Sequence, residues 1–317
     1  MAFVVEVSGQ HLQHASLHKM DFHRVKWLDL EDPSDAEIAK VAEMVGLSKH
    51  EVKSYLDRDE LARLFETEHF SVAMCKAPLV QERSKFITAT TVTFFVSERL
   101  LISLHREPVH NITEARKLPE KELLQLLRRG TSELLYYLFE RLAHEFFGRL
   151  DEVEAQIDKI EDVVFAKPEQ RTVRRIFTLK RTLIYFHKAL AGNRDVIVAL
   201  QKPEAGKQIK HKVQRRLTDL YYDMVQLLDV VATYRDILTG TLDIYLSAVS
   251  NSMNAVMKKM AAYGSLVLVP TFITGLYGMN FRFMPELDWR LGYLFAWGLI
   301  VISLVVLYWY FRKHDWF

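Results

Sequence analysis

The 317-residue chain carries 42 Lys and Arg against 40 Asp and Glu. That near balance argues against nucleic acid as a partner, because domains that bind it usually carry a clear basic excess. The single cysteine, Cys75, excludes an intrachain disulfide and reads as a small core residue in a strand.

In chain order, residues 1–10 have neither the basic start nor the apolar core of an export signal. His11, His14, His18 and His23 follow at a spacing that suits neither one helix face nor a metal finger, and read as surface histidines. The segment RVKWLDLED predicts a strand. PSDAEIAKVAEMVG then predicts a helix, with Pro33 at its start and Gly46 past its end. Ser48, with Glu51 three residues on, predicts a second helix opened by a capping box. HFSVAMCKAPLV predicts another strand. The β-branched and aromatic run KFITATTVTFFVSERLLISLHREP predicts a hairpin turning at Ser97 and Glu98. Residues 1–112 therefore predict an α/β or α+β domain. Glycine-rich phosphate loops, nucleophile elbows and paired cysteines are all missing from the sequence, so nothing in it points to an enzyme.

Helical periodicity dominates from residue 113 onward. One helix is expected over residues 131–164, before Pro168, and a second over residues 171–200, before Pro203 and Gly206. These make residues 113–206 a cytoplasmic helical region. A third helix begins near Lys207 and meets no convincing stop before Asn280, about 74 residues or roughly 110 Å at 1.5 Å per residue. Its first part, residues 207–260, is a stalk. Pro270 is expected to kink it.

Two runs carry no charge: residues 261–280 and residues 291–311. Each is long enough to cross a hydrocarbon core of about 30 Å, which takes about 20 helical residues. With the loop 281–290 between them they predict a membrane hairpin. Lys258 and Lys259 precede the first span, and Arg312, Lys313 and His314 open the basic tail 312–317. Positive flanks favour the cytoplasm. The expected orientation puts both termini inside and the loop outside, although Arg282 and Arg290 oppose Glu286 and Asp288 in that loop. Trp289, Tyr293, Tyr308, Trp309 and Tyr310 lie near the span ends, as interfacial aromatics do.

Two spans enclose too little volume for a pathway, so transport would require several copies around an axis. Stepping by three or four from Asp243 gives Ser247, Ser250, Asn254, Met257, Ala261, Gly264, Leu268, Thr271, Gly275 and then Gly278 or Met279, with Asn280 at the end. This stripe is mostly small, polar or thioether. It fits a helix lining a narrow pore, and equally a tight helix–helix seam, where small residues also collect. The stalk is acidic, with Asp219, Asp223, Asp229, Asp236 and Asp243. The last three are seven apart and so lie nearly on one face.

The sequence YGMN at 277–280, followed by Phe281 and by MPEL at 284–287, resembles the signature of the CorA family of divalent-cation channels. The second apolar run and the basic tail match that family's layout. The resemblance implies an N-terminal cytoplasmic α/β domain, long helices and a C-terminal two-helix transmembrane hairpin, assembled as a funnel-shaped homopentamer in the cell membrane. Magnesium would be both the transported and the regulatory ion, with cobalt or nickel also passed, and no cofactor is implied. Gly278, Met279 and Asn280 would form the selectivity filter, with Gly278 letting the backbone turn. Asn254, Met257, Met260, Ala261, Gly264, Leu268, Thr271 and Gly275 would line the pore, with Met257, Met260 and Leu268 as apolar constrictions. Glu286 and Asp288 would concentrate cations at the mouth. Asp219 is the best positional match to a regulatory metal site between subunits, with Asp223 and Asp243 as further candidates and Glu51, Asp57 or Asp59 as partners from the N-terminal domain. The chemistry is coherent: Mg²⁺ dehydrates reluctantly and prefers octahedral oxygen, so an amide ring can hold its waters where imidazoles would favour transition metals. A zinc transporter of the same fold, with proton coupling, is the alternative. A non-transporting membrane adaptor is a third reading.

Overall fold

The computed structural model describes the chain except residues 1, 9–10, 15–24, 82–85, 167–169, 203–208, 283, 287 and 317. His18 and His23 lie outside the described residues. The elements run β1 (Ala2–Ser8), β2 (His11–His14), β3 (Val25–Glu31), α1 (Asp35–Val45), α2 (Lys49–Ser54), β4 (Arg63–Glu66), β5 (Ser71–Gln81), β6 (Phe86–Val96), β7 (Leu101–His105), α3 (His110–Arg116), α4 (Glu120–Arg129), α5 (Thr131–Ala166), α6 (Gln170–Gln201), α7 (His211–Tyr277) and α8 (Gly292–Lys313). They form two compact units: Met1–Val163 with Glu169–Thr241, and Val164–Pro168 with Leu242–Phe317.

In the first unit the strands make one sheet, ordered β2-β1-β3-β7-β6-β5-β4. β3 and β7 pair in parallel and every other neighbour is antiparallel. The expected hairpin is β6–β7, closed where Ser97 N–H donates to Leu100 O at 2.9 Å. Side chains alternate across the sheet. Leu28, Leu30, Ile102, Leu104 and Phe95 face a core shared with Ile38, Val41 and Val45 of α1 and Val52 of α2. On the other face Phe94 meets Phe139 of α5 at 5.8 Å between ring centres, and Phe146 of α5 meets Phe186 of α6 at 5.4 Å. α6 packs across β4, β5 and β6.

Helix starts follow local chemistry. Ser48 and Glu51 form the expected capping box on α2. α1 begins two residues later than Pro33 suggests, at Asp35: Ser34 is its N-cap, in a second capping box with Glu37, and Gly46 closes it at φ 71°. A glycine is needed there, because a Cβ is strained in left-handed backbone. Strands β1, β2 and β4 and the short helices α3 and α4 carry sequence signals too brief to read alone.

The same face that carries Phe94 holds a buried polar set. Asp29, Ser103 and His105 are fully buried. The parallel register places Asp29 opposite Ser103. Ser103 Oγ donates to Asp29 Oδ1 and accepts from Trp27 Nε1 at 3.0 Å. His105 Nε2 lies 3.2 Å from the same carboxylate oxygen, and its Nδ1 lies 2.7 Å from Glu107 O. Arg116 of α3 bonds the other Asp29 oxygen and reaches Glu31 at 3.1 Å. A buried carboxylate is tolerable only when paired and hydrogen-bonded in this way.

α7 is a single helix of 67 residues that runs through Pro270 without a break. It begins at His211 and ends at Tyr277, before the expected Asn280. The first apolar run is therefore the closing stretch of a longer helix. Both α7 and α8 contain a stretch long and apolar enough to cross a membrane.

Candidate functional site

The stretch of α7 within the second unit has two distinct sides. Ala262 is buried, and Ser265, Leu266, Val269, Pro270, Ile273 and Tyr277 are half-buried. At about 100° per residue these lie on one side. The candidate pore positions lie on the other. Asn254, Met257, Met260, Ala261, Gly264, Leu268, Thr271 and Gly275 are all exposed in the single chain, as are Gly278, Met279 and Asn280. Met257 is 56% exposed, Met260 69% and Leu268 68%. Every residue from 251 to 261 is exposed, on all sides of the helix. α8 shows a matching shaded line at Gly292, Ala296, Ile300, Ser303, Leu304, Leu307 and Phe311. Its C-terminal end comes back to α7: Asp315 and Trp316 share a cavity with Asn251, Asn254, Lys258 and Ala261. Trp316 is held there by stacking on Phe311 at 5.1 Å and by its main-chain N–H donating to Phe311 O at 3.0 Å.

Along the exposed side, Thr271 Oγ1 donates to Val267 O at 2.8 Å. That spends the hydroxyl's one hydrogen on the helix and leaves its lone pairs directed outward as acceptors. Thr274 Oγ1 donates to Thr271 O at 3.0 Å. Pro270 has no N–H to offer the Leu266 carbonyl, four residues back.

The expected turn at Gly278 follows directly where α7 closes at Tyr277. Gly278 N–H still donates to Thr274 O at 3.0 Å, as a helical residue does, and Met279 N–H donates to Leu276 O at 3.3 Å. Gly278 is not among the residues at positive φ. The helix ends at Tyr277, and Gly278 contributes smallness in the turn that follows: a Cβ there would sit 3.1 Å from Thr274 O. The loop is pinned instead at Gly292, where a Cβ would come within 2.2 Å of the Glu286 carbonyl oxygen. Gly292 N–H donates to Trp289 O at 2.9 Å, and Trp289 packs on Phe295 at 5.6 Å. Glu286 and Asp288 are exposed, and among the described residues neither forms an ion pair with Arg282 or Arg290. Their charge is not cancelled by direct contact.

The acidic positions of α7 fall differently. Asp219 and Asp243 are exposed and Asp223 is half-buried. Burial pushes the Asp223 carboxyl above its ordinary range, against the pull of His144, while Asp219 and Glu140 add repulsion. Glu140 and His144 of α5, absent from the expected set, are thus electrostatic neighbours of Asp223. The i, i+4 pairing of Glu140 with His144 on a helix was the available signal. Of the expected N-terminal partners, Glu51 is engaged by Ser48, and Asp57 accepts from Asp59 N–H at 3.4 Å. Among the described residues no three His, Cys, Asp or Glu side chains come close enough to hold a metal ion.

Comparison with known proteins agrees with this layout. Residues 23–313 match the family described as CorA-like Mg²⁺ transporter protein. The cobalt/magnesium transport protein CorA of Methanocaldococcus jannaschii is 33% identical over 295 residues, covering 93% of this chain and 92% of the relative. The protein of the same description from Thermotoga maritima is 38% identical over 192 residues, 60% of this chain and 54% of the relative. The complete structure of the CorA magnesium transporter from M. jannaschii superposes with a TM-score of 0.86 at 29% identity, covering 100% of this chain and 99% of that one. With two apolar helices at its C-terminal end and a family match across nearly its whole length, this chain belongs to the CorA-like Mg²⁺ transporter family, a family of membrane transport proteins.

Proposed function

We propose that the protein is a channel for hydrated divalent cations, Mg²⁺ first among them, formed by several copies arranged around the exposed side of α7. One observation carries the reading. Every position of the small and polar stripe found in the sequence, from Ser247 to Asn280, is exposed in the single chain. A lone membrane protein would cover such a face with lipid, and would then have no reason to place Asn254, Thr271 and Asn280 on it. Five copies, the number that the family resemblance implies, would bring these side chains to a common axis.

In that arrangement the ring of Asn280 amides at the end of α7 meets the ion first. Amide oxygens accept hydrogen bonds from the ion's own waters, so the ion is selected by charge and hydrated size without being stripped. Thr271 repeats the device deeper in, through its outward lone pairs. Leu268, Met260 and Met257 form apolar constrictions that close by dewetting when the ring narrows. Glu286 and Asp288 raise the local concentration of cations. The membrane potential supplies the drive, about 2.3 kcal/mol per charge per 100 mV. Both termini lie on the cytoplasmic side, where Mg²⁺ bridging Asp219 and Asp223 to carboxylates of a neighbouring copy holds the assembly closed. Asp243 sits further along the same helix, beside the pore entrance.

The test is ion flux into proteoliposomes carrying the purified protein, with Mg²⁺, Co²⁺ and Zn²⁺ supplied in turn. The channel reading expects potential-driven Mg²⁺ entry, insensitive to an imposed pH gradient and lost in Asn280→Ala. Zn²⁺ entry that follows the pH gradient would support the zinc transporter instead. No flux of any ion would leave a membrane adaptor.

A further inference from the structure

Away from α7, the N-terminal turn of α3 meets α5 along a cavity of about 530 Å³. Two oxygen acceptors buried in this region have no partner: Oδ1 of Asn111 and Oε2 of Glu145. Asn111 is 4% exposed, and its Nδ2 already donates to Leu138 O at 3.0 Å, which fixes the amide with its oxygen free. The Glu145 carboxyl accepts from the Asn111 main-chain N–H, so the carboxyl sits beside that same residue. α3 has no cap of its own, because its N-cap residue is Val109. Glu145 takes that role from a neighbouring helix.

Both acceptors belong to the contact between α3 and α5, and each lacks a donor where water does not supply one. One added hydrogen satisfies both. We propose that Glu145 binds a proton and, as a neutral carboxyl, donates it to the Asn111 side-chain oxygen, latching α3 onto α5, and that the latch loosens when the proton leaves to solvent through the open side of the cavity.

The surrounding charges are accounted for. On α3, Glu114 pairs with Lys117 at 3.0 Å, and His110 is exposed at the cavity edge. On α5, Arg149 pairs with Glu152 at 3.0 Å, Arg141 Nε donates to the Tyr137 hydroxyl at 3.1 Å, and His144 is exposed. Arg149 is the one charge that acts on Glu145 appreciably, and burial outweighs it: the carboxyl is pushed up to about 7. The sign follows. A carboxyl raised in the closed form binds a proton that the open form, with an ordinary value near 4.5, has released. The closed form is favoured below that ordinary value, loses ground as pH rises, and has lost the contribution above about 7.

Hydrogen–deuterium exchange of the full-length protein in detergent tests this, read on peptides covering residues 110–117 and corrected for intrinsic rates. Protection there should fall by about fiftyfold between pH 5 and pH 7.5, since each unit in the window is worth tenfold. Glu145→Gln supplies a permanent amide donor of the same shape, and should keep α3 protected at both pH values. Equal pH dependence in wild type and Glu145→Gln would overturn the proposal. So would protection of the wild type at pH 7.5 that returns on adding Mg²⁺ but not on adding acid, which would assign the two oxygens to a cation.

Discussion

Asn193 of α6 holds the main chain of Lys76 in β5 with both ends of its amide: Oδ1 accepts from Lys76 N–H at 2.7 Å, and Nδ2 donates to Lys76 O at 2.8 Å. The reason lies in the sheet. β4 pairs with β5 only as far as Met74, so beyond it the outer edge of β5 has no strand beside it among the described residues. The fully buried Asn193 substitutes for that strand. Pro78, two residues further on, has no N–H to leave unsatisfied. Gly192 permits the approach, because a Cβ there would lie 2.7 Å from the Ala62 Cβ. Lys76 is fastened as well, its Nζ donating to Arg58 O at 2.7 Å and to Thr91 Oγ1 at 2.8 Å.

Asn193→Leu keeps the size and removes both bonds. Two buried main-chain groups then lack partners, at about 1–3 kcal/mol each. The expected outcome is a lower melting temperature for the first unit and faster amide exchange around Lys76. Thermal denaturation with exchange mass spectrometry checks it, and ion flux in the surviving folded fraction should be unchanged.

Arg116→Met leaves the fully buried Asp29 carboxylate without its cation. Breaking a buried pair from one side costs about 3–5 kcal/mol. Adding Asp29→Asn should recover much of that loss, since the second change removes the stranded charge. Chemical denaturation of the single and double variants measures both effects.

Much of this was legible in the sequence, and the parts that were not share a cause. Ser48 with Glu51, the β6–β7 hairpin and the two uncharged runs are local patterns, and local patterns need no partner to be read. Asn193 and Arg116 act on residues 117 and 87 positions away, and nothing nearby in sequence marks them. Ser34 was hidden behind Pro33, which looked like the better helix start. Gly278 stands in a turn, but it keeps the helical bond to Thr274 and needs no positive φ to make it. At the candidate site, periodicity located the open face of α7, but it could not separate a pore from a seam between helices. It also missed Glu140 and His144, whose relation to Asp223 depends on how α5 packs against α7.

Thr271→Val should reduce Mg²⁺ flux severalfold while leaving the fold intact. The substitution removes the outward lone pairs and keeps the branched shape. Thr271→Ser, which retains the oxygen, should conduct nearly as the wild type does. Proteoliposome flux and melting temperature, measured together, separate conduction from folding.

Inhibition by cytoplasmic Mg²⁺ should weaken in Asp219→Asn, and it should depend on pH through Asp223. Burial raises the Asp223 carboxyl, so falling pH protonates it earlier than an ordinary aspartate, and a protonated carboxyl no longer bridges an ion. Flux at fixed internal Mg²⁺ should therefore rise as pH falls, with a smaller rise in Asp223→Asn. Flux recorded against internal pH for both proteins decides this.

The most direct test is an electron-microscopy map of the purified assembly in Mg²⁺, viewed along its axis. The account predicts a central passage lined by α7 and an ion at the level of Asn280, about 4–5 Å from the amide oxygens, the sum of an Mg–water bond and a hydrogen bond. An ion bonded directly to protein oxygens at about 2.1 Å, or an assembly with no axial passage, would contradict it.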